Sequence, residues 1–395
     1  DEAYQKYFDT FEADGFDPDE WAAAAEAAGM RYFVLTTKHH DGFCLWDSKH
    51  TDYKSTEAPI GRDIVKEVTE AFRKRGFRTG FYHSLIDWHH PDYVIDSVQH
   101  PLRDHPDREK LNEGREQSRY AAYLRAQVEE LLTEYGDVDI LWFDFSFPHR
   151  KPDGKGRAEW ESETLYRTVR RLAPRVILND RIDLPGTGDV ETPEQFQPPE
   201  GLKDASGKPV VWEACQTFSG SWGYYRDEHS WKSTGQLLRM LVDTVSKGGN
   251  LLLNVGPTAR GDLDARTLER LRGIGRWMRL HGRAIHDCGE APSEFVAPQD
   301  CRLTYDAGRK RLFVHFFAWP FRFVQLEGRA FIERVRMARL VNDGSEIKVL
   351  RPEFFQQNAT PHANLGQMVP DDVLTLELPP QEPDPEIPVI ELVLD

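Results

Sequence analysis

From Pro18 to about His286, short apolar runs alternate with stretches in which apolar residues recur every three or four positions. Tyr32–Thr37, Arg78–His83, Asp139–Asp144, Val176–Asp180, Val210–Glu213 and Leu251–Asn254 are short, apolar and bounded by turn or polar residues, which predicts strands. The helical period falls near Pro18–Ala28, Asp63–Arg75, Arg119–Tyr135, Glu161–Leu172, Thr234–Ser246 and Asp264–Arg283. Asp17 before Pro18 predicts a capped helix start, and Gly29, Gly76, Gly136 and Gly248 stand where helices should stop. Strands that are apolar throughout, each followed by a helix, predict a parallel sheet covered by helices. After about residue 290 the period shortens. Arg311–Phe317, Ile332–Met337, Glu346–Leu350, Val373–Leu378 and Val389–Leu394 are short alternating or apolar runs separated by Gly, Pro and Asn, as in an antiparallel β-sandwich.

The strand ends choose between a closed barrel and an open doubly wound sheet. No Gly-rich fingerprint follows the first strand, whereas polar groups end nearly every strand: Lys38-His39-His40, His83, Asp144, Asn179-Asp180-Arg181 and Glu213. A ring of strand-end polar groups is what the mouth of a barrel needs. The expectation is therefore an α/β chain with a (β/α)8-like (TIM) barrel over residues 1–290 and a C-terminal antiparallel β-sandwich over 291–395. Six strands are legible where a full barrel has eight.

Composition narrows the partners. With 39% hydrophobic residues and no apolar run near the roughly 20 residues of a membrane helix, no helical membrane span is expected. The net charge of −16 repels a phosphate backbone and argues against nucleic acid. Ten Trp and thirteen Tyr offer flat faces suited to sugar rings, although most such residues serve packing. The four cysteines, Cys44, Cys215, Cys288 and Cys301, lack any Cys-x-x-Cys spacing and read as buried thiols, with a Cys288–Cys301 disulfide only if the protein is exported. A cytoplasmic location is favoured over a secreted one, and a homo-oligomer is compatible with the sequence.

Asp139-Ile-Leu-Trp-Phe-Asp144 is an apolar run that stops on a carboxylate, which makes Asp144 the first candidate for a reactive group; the alternative is an Asp that only ends the strand or caps the next helix. Glu194, in the loop Glu191–Phe196, is a second carboxylate placed to meet it across a barrel mouth, or simply a solvated loop residue. Two carboxyl groups in different environments are the minimum for glycoside hydrolysis. His39 and His40 suit hydrogen bonding to hydroxyl groups, or metal binding with His83, His89 and His90. The metal option is the weaker one, because adjacent strand residues diverge. Nucleophilic serine chemistry lacks its Gly-x-Ser-x-Gly turn.

Taken in order, Lys38-His39-His40-Asp41-Gly42-Phe43 with Trp46-Asp47-Ser48, Leu141-Trp142-Phe143-Asp144, Asn179-Asp180-Arg181, Thr192-Pro193-Glu194, Ser221-Trp222-Gly223-Tyr224 and Ser246–Pro257 resemble the α-L-fucosidases of glycoside hydrolase family 29 over nearly the whole chain. The resemblance implies a (β/α)8-like barrel followed by a β-sandwich, and a retaining exo-α-L-fucosidase acting on fucosylated oligosaccharides or glycoconjugates without metal or cofactor. It also implies Asp144 as nucleophile and Glu194 as general acid/base. His39 and His40 match fucose hydroxyl contacts, Arg181 a sugar-pocket cation, Trp222 an aromatic wall, and Trp142 a neighbour of the nucleophile; His83 stands where relatives often place Tyr. The family's opening Phe-x-x-His-Trp-Gly strand and Glu-Trp pair are not found before Lys38, so the resemblance implies a chain that starts after them. Protein made from Asp1 alone is then expected to be poorly soluble or inactive. The alternatives are a non-catalytic fucose-binding protein and a metal-dependent barrel hydrolase.

Overall fold

The computed structural model describes residues 2–357 and 369–395, with side chains from Tyr4 onward. The chain forms two compact units, Asp1–Thr192 with Gly256–Asp264, and Pro193–Val255 with Ala265–Asp395.

The first unit is built on four parallel strands in the order β1 (Tyr32–Lys38), β2 (Arg78–Ser84), β3 (Ile140–Asp144) and β4 (Ile177–Leu178). Each follows a helix, as the periodicity predicts: Pro18–Ala27, Ile64–Lys74, Gln117–Glu134 and Ser162–Leu172. Asp17 caps the first by accepting from the Asp19 and Glu20 N–H groups, with Pro18 at the first helical position. The second helix turns Ile64, Val65, Val68, Ala71 and Phe72 inward, the spacing of one helical face. A core of Phe81, Leu124, Val128, Leu131, Leu141, Phe143, Trp160, Leu165 and Leu178 seals the sheet against the helices. β4 pairs over two residues only, shorter than the expected Val176–Asp180. Beyond it the Asn179 side chain takes over the ladder: its Oδ1 accepts the Phe143 N–H at 2.9 Å and its Nδ2 donates to the Phe143 carbonyl at 2.8 Å.

In the second unit β5 (Glu213–Thr217) pairs in parallel with β6 (Asn250–Asn254). The expected Val210–Glu213 strand is displaced toward the C-terminus. Val210 instead donates to the Leu202 carbonyl in a small turn-backed loop, Val211 is exposed, and pairing with β6 begins only at Glu213. The helix Thr234–Ser246 opens with a capping box between Ser233 and Gln236, and Ala265–His281 follows β6.

The C-terminal part of this unit is one continuous eight-stranded antiparallel sheet, in the order β10-β13-β12-β11-β14-β9-β8-β7. Its strands are β7 (Gly289–Glu290), β8 (Cys301–Asp306), β9 (Arg311–Phe316), β10 (Phe323–Glu327), β11 (Val335–Leu340), β12 (Glu346–Leu350), β13 (Val373–Glu377) and β14 (Val389–Leu394). Leu303 and Leu312 near one edge share a single core with Val324 and Leu326 at the other, so the sheet curls around its own apolar face. The expected strand at Ile332–Met337 is helix up to Arg334 and strand only from Val335. Gly328 turns the chain at φ 120° so that Phe331 drops into the core. β8 and β10 were not anticipated; β10 alternates in burial, with Val324 and Leu326 inward. No disulfide joins Cys288 to Cys301.

Candidate active site

In a parallel sheet, residues in register share a face, and side chains alternate along each strand. Tyr82 is in register with Trp142, and Ser84 with Asp144, so all four project from one face of β2 and β3. Phe81, His83, Leu141 and Phe143 project from the other, into the helix-covered core.

The Asp144 carboxylate is held at both oxygens. Arg181 Nη1 donates to Oδ1 at 2.8 Å, and the Tyr82 hydroxyl donates to Oδ2 at 2.7 Å. Both donors suit a carboxylate acceptor, and the guanidinium contact is the stronger, charge-assisted kind. Arg181 is itself fixed by Thr192: its Nε donates to Thr192 Oγ1 at 3.0 Å and its Nη2 to the Thr192 carbonyl at 2.9 Å. The Thr192 hydroxyl in turn donates to Asp180 Oδ1 at 2.6 Å. The three polar residues after β4 thus have separate tasks, Asn179 extending the ladder, Asp180 holding Thr192 and Arg181 gripping the carboxylate. Hydrogen bonding to Asp180 also raises the Glu191 carboxyl above its ordinary pKa.

A row of flat groups runs beside Asp144. His39 stacks on Tyr82 at 5.6 Å, Tyr82 on Trp142 at 5.7 Å, and the Arg181 guanidinium lies 4.5 Å from the Trp142 ring. Trp142 is 3% exposed, so its faces are occupied by protein. The His39 and His40 rings are 4.2 Å apart. His39 is exposed at its outer edge and His40 half-buried, with aromatic side chains packed against both rings. Burial lowers the pKa of each, that of His40 to about 3, where the charges of His39 and Lys38 add to the effect. Both rings are therefore neutral near pH 7 and retain one donor and one acceptor nitrogen.

The loop after β1 is anchored from below. Lys38, fully buried, pairs with Asp87 at 3.0 Å, and the other oxygen of Asp87 accepts the N–H groups of His89 and His90 at 3.0 and 2.9 Å. Gly42 adopts φ 82°, and a side chain there would collide with the Asp87 carboxylate.

His83 corrects the expected sugar contact. It is fully buried, with Nδ1 3.0 Å from the Thr37 hydroxyl and its ring against Trp46, because strand alternation sends it to the face opposite Tyr82. Tyr82, one residue earlier, occupies the place beside the nucleophile candidate. The sequence carried no signal for it, because which face of β2 meets Asp144 is set by the pairing with β3. The histidines of the metal option do not converge either: His83 faces the core, His89 stacks on Tyr53 at 4.0 Å, and His90 Nδ1 accepts the Asp92 N–H. Among the described residues no group of three or more His, Cys, Asp or Glu is arranged to hold a metal ion.

In the second unit, Glu194 is exposed on a segment clipped to β5. The Cys215 N–H donates to the Pro193 carbonyl at 3.0 Å, and the Gln195 N–H donates to the Cys215 carbonyl at 2.9 Å. Trp222 is 38% exposed on the loop after β5, and its carbonyl accepts Asn254 Nδ2 at 2.6 Å from the end of β6.

Known proteins resemble this chain in sequence and fold. The family model described as alpha-L-fucosidase matches residues 1–283. Tissue alpha-L-fucosidase of Mus musculus is 33% identical over 330 residues, covering 80% of this chain and 67% of the relative; that of Homo sapiens is 34% identical over 295 residues, covering 72% and 58%. The chain thus spans about two thirds or less of these relatives' length. Alpha-L-fucosidase isoenzyme 1 from Paenibacillus thiaminolyticus superposes with a TM-score of 0.89 at 40% identity, covering 100% of this chain and 90% of that one. A GH29 alpha-L-fucosidase from Bacteroides thetaiotaomicron, trapped as a covalent intermediate with 2-fluoro-fucosyl fluoride, superposes at 0.80 with 26% identity, covering 100% and 85%. The match over most of the chain, with Asp144 and its partners inside it, places this protein in the α-L-fucosidase family.

Proposed function

We propose that this protein is a retaining exo-α-L-fucosidase that releases terminal α-L-fucose from glycans or glycoconjugates. The observation that carries the reading is the Asp144 carboxylate at the end of β3, held at one oxygen by Arg181 and at the other by Tyr82 beside a row of flat side chains, in a chain of the α-L-fucosidase family. In the first step Asp144 attacks the anomeric carbon, the bond to the leaving oxygen breaks, and Glu194 supplies that oxygen with a proton. In the second, Glu194 takes a proton from water, which attacks the same carbon and frees Asp144. Two inversions retain the configuration. The covalent intermediate trapped in the Bacteroides relative supports this double displacement.

His39 and His40, neutral and able both to donate and to accept, are read as contacts for fucose hydroxyls, and Arg181 as the cation that orients the nucleophile. Trp222 is read as an aromatic wall, and Trp142 as the support on which Tyr82 and Arg181 rest. The family likeness also supports the finer fold reading, a catalytic (β/α)8-like barrel over residues 1–290 and a β-sandwich over 291–395.

Turnover of an aryl α-L-fucoside, with the first-formed sugar anomer followed by proton NMR, tests the proposal. Wild-type protein should release α-L-fucose first, and Asp144→Ala should abolish release. Near wild-type activity in Asp144→Ala would remove Asp144 from the mechanism. Fucose binding without turnover by the wild type would favour a binding protein, and loss of activity on exhaustive chelation a metal-dependent hydrolase.

A further inference from the structure

Ser84 ends β2 directly opposite Asp144 in the parallel ladder, and it is fully buried. Its hydroxyl oxygen has two neighbours. The Ile86 N–H donates to it at 3.0 Å, and His40 Nδ1 lies 2.5 Å away. His40 is fixed from other sides as well: its carbonyl accepts the Trp88 N–H at 2.8 Å, and the rings of Trp88 and Phe145 each meet its ring edge-on at 5.4 Å. The ring has little freedom to turn away from the serine.

A serine hydroxyl carries one proton and two lone pairs. Ile86 uses one lone pair. If His40 carried a proton on Nδ1, that N–H would take the second, and the serine's own proton, in a fully buried position, would have no acceptor among the described contacts. If Nδ1 is bare, the hydroxyl proton goes to it and each group is satisfied. We propose that Ser84 is a positioning residue that holds His40 in the neutral tautomer protonated at Nε2, so that the ring offers a substrate an N–H donor for a hydroxyl oxygen. The tautomer follows from the contacts of the resting protein; only the identity of the hydroxyl, one on fucose, rests on the fucosidase reading. The fall of the His40 pKa to about 3 accords with it, since an imidazolium would press a second N–H against the Ser84 oxygen.

The test is nitrogen NMR of the full chain labelled with 15N-histidine near pH 7, the His40 signals being identified by their absence in His40→Gln. The expected wild-type spectrum shows Nδ1 unprotonated and Nε2 protonated. In Ser84→Ala both tautomers should appear, and calorimetry should show L-fucose binding weakened about tenfold. Protonated Nδ1 in the wild type would overturn the proposal without needing any variant to fold. An unchanged tautomer in Ser84→Ala would overturn the role of the serine, and a changed tautomer with unchanged fucose affinity would overturn the donor role. Failure of the fucosidase reading, seen as absence of turnover, leaves the wild-type spectrum to decide separately.

Discussion

The Tyr82 hydroxyl donates to Oδ2 of Asp144 at 2.7 Å, while the Tyr82 ring stacks between His39 and Trp142. One residue thus orients the proposed nucleophile and braces the flat groups beside it. Hydrogen bonds to charged groups contribute about 1.5–3 kcal/mol, equivalent to roughly 10- to 150-fold in rate if expressed in the transition state. Tyr82→Phe keeps the stack and removes the donor. Its kcat on an aryl α-L-fucoside should fall by about that factor with the melting temperature nearly unchanged, and steady-state kinetics beside a thermal melt will check both.

Glu194 is expected to act on the leaving oxygen, a task whose importance depends on the leaving group. Glu194→Ala should lose about 100-fold or more on a natural glycoside and far less on a substrate with an acidic phenol leaving group. Comparing kcat/KM for the two substrate types measures this, and equal losses on both would count against the acid role.

The Lys38–Asp87 pair is buried at both ends, and Lys38 Nζ also lies 5.6 and 5.3 Å from the Tyr120 and Tyr123 rings. Removing one partner strands the other charge away from water. Lys38→Met should destabilise the protein by about 3–5 kcal/mol in urea unfolding. Lys38→Met with Asp87→Asn should recover part of that loss, because the amide oxygen still accepts the His89 and His90 N–H groups without bearing charge. A double variant no more stable than the single one would contradict the account.

His83, His100 and His315 are buried, and burial lowers their pKa values, that of His100 to about 4 and that of His315 to about 3. In the unfolded chain each titrates near 6.5, so below that pH the unfolded state binds protons that the native state refuses. The stabilisation is complete above about pH 6.5 and declines as the pH falls toward about 4, where His100 begins to protonate in the native state. Each fully neutral histidine contributes up to about 1.4 kcal/mol per pH unit in that window. Urea midpoints at pH 7.5, 5.5 and 4.5 should fall in that order, and a flat series would disprove the effect.

Much of the α/β part was legible because its signals are local. Asp17-Pro18, the helix-ending glycines and the 3.6-residue period mark the helices near where they form, and the apolar run Ile140–Asp144 is a strand in the structure. The motif around Asp144 and Arg181 likewise led to residues that touch. What the sequence left undecided depends on register and facing. His83, expected at the site, faces the core while Tyr82 stands beside Asp144, since a single step along a strand reverses the face and only pairing with β3 shows which face carries Asp144. The short β4 and the shifted β5 were misplaced because Asn179 replaces a backbone ladder with its side chain, and because pairing with β6, rather than the apolar run itself, decides where β5 begins. By itself the sequence determined most strands and helices of the α/β part and which residue types gather at the strand ends; the tertiary structure alone decided strands such as β8 and β10 and which strand-end residues meet, because a hydrogen bond such as that between Ser84 and His40 joins residues 44 positions apart and exists only once two strands have chosen their register.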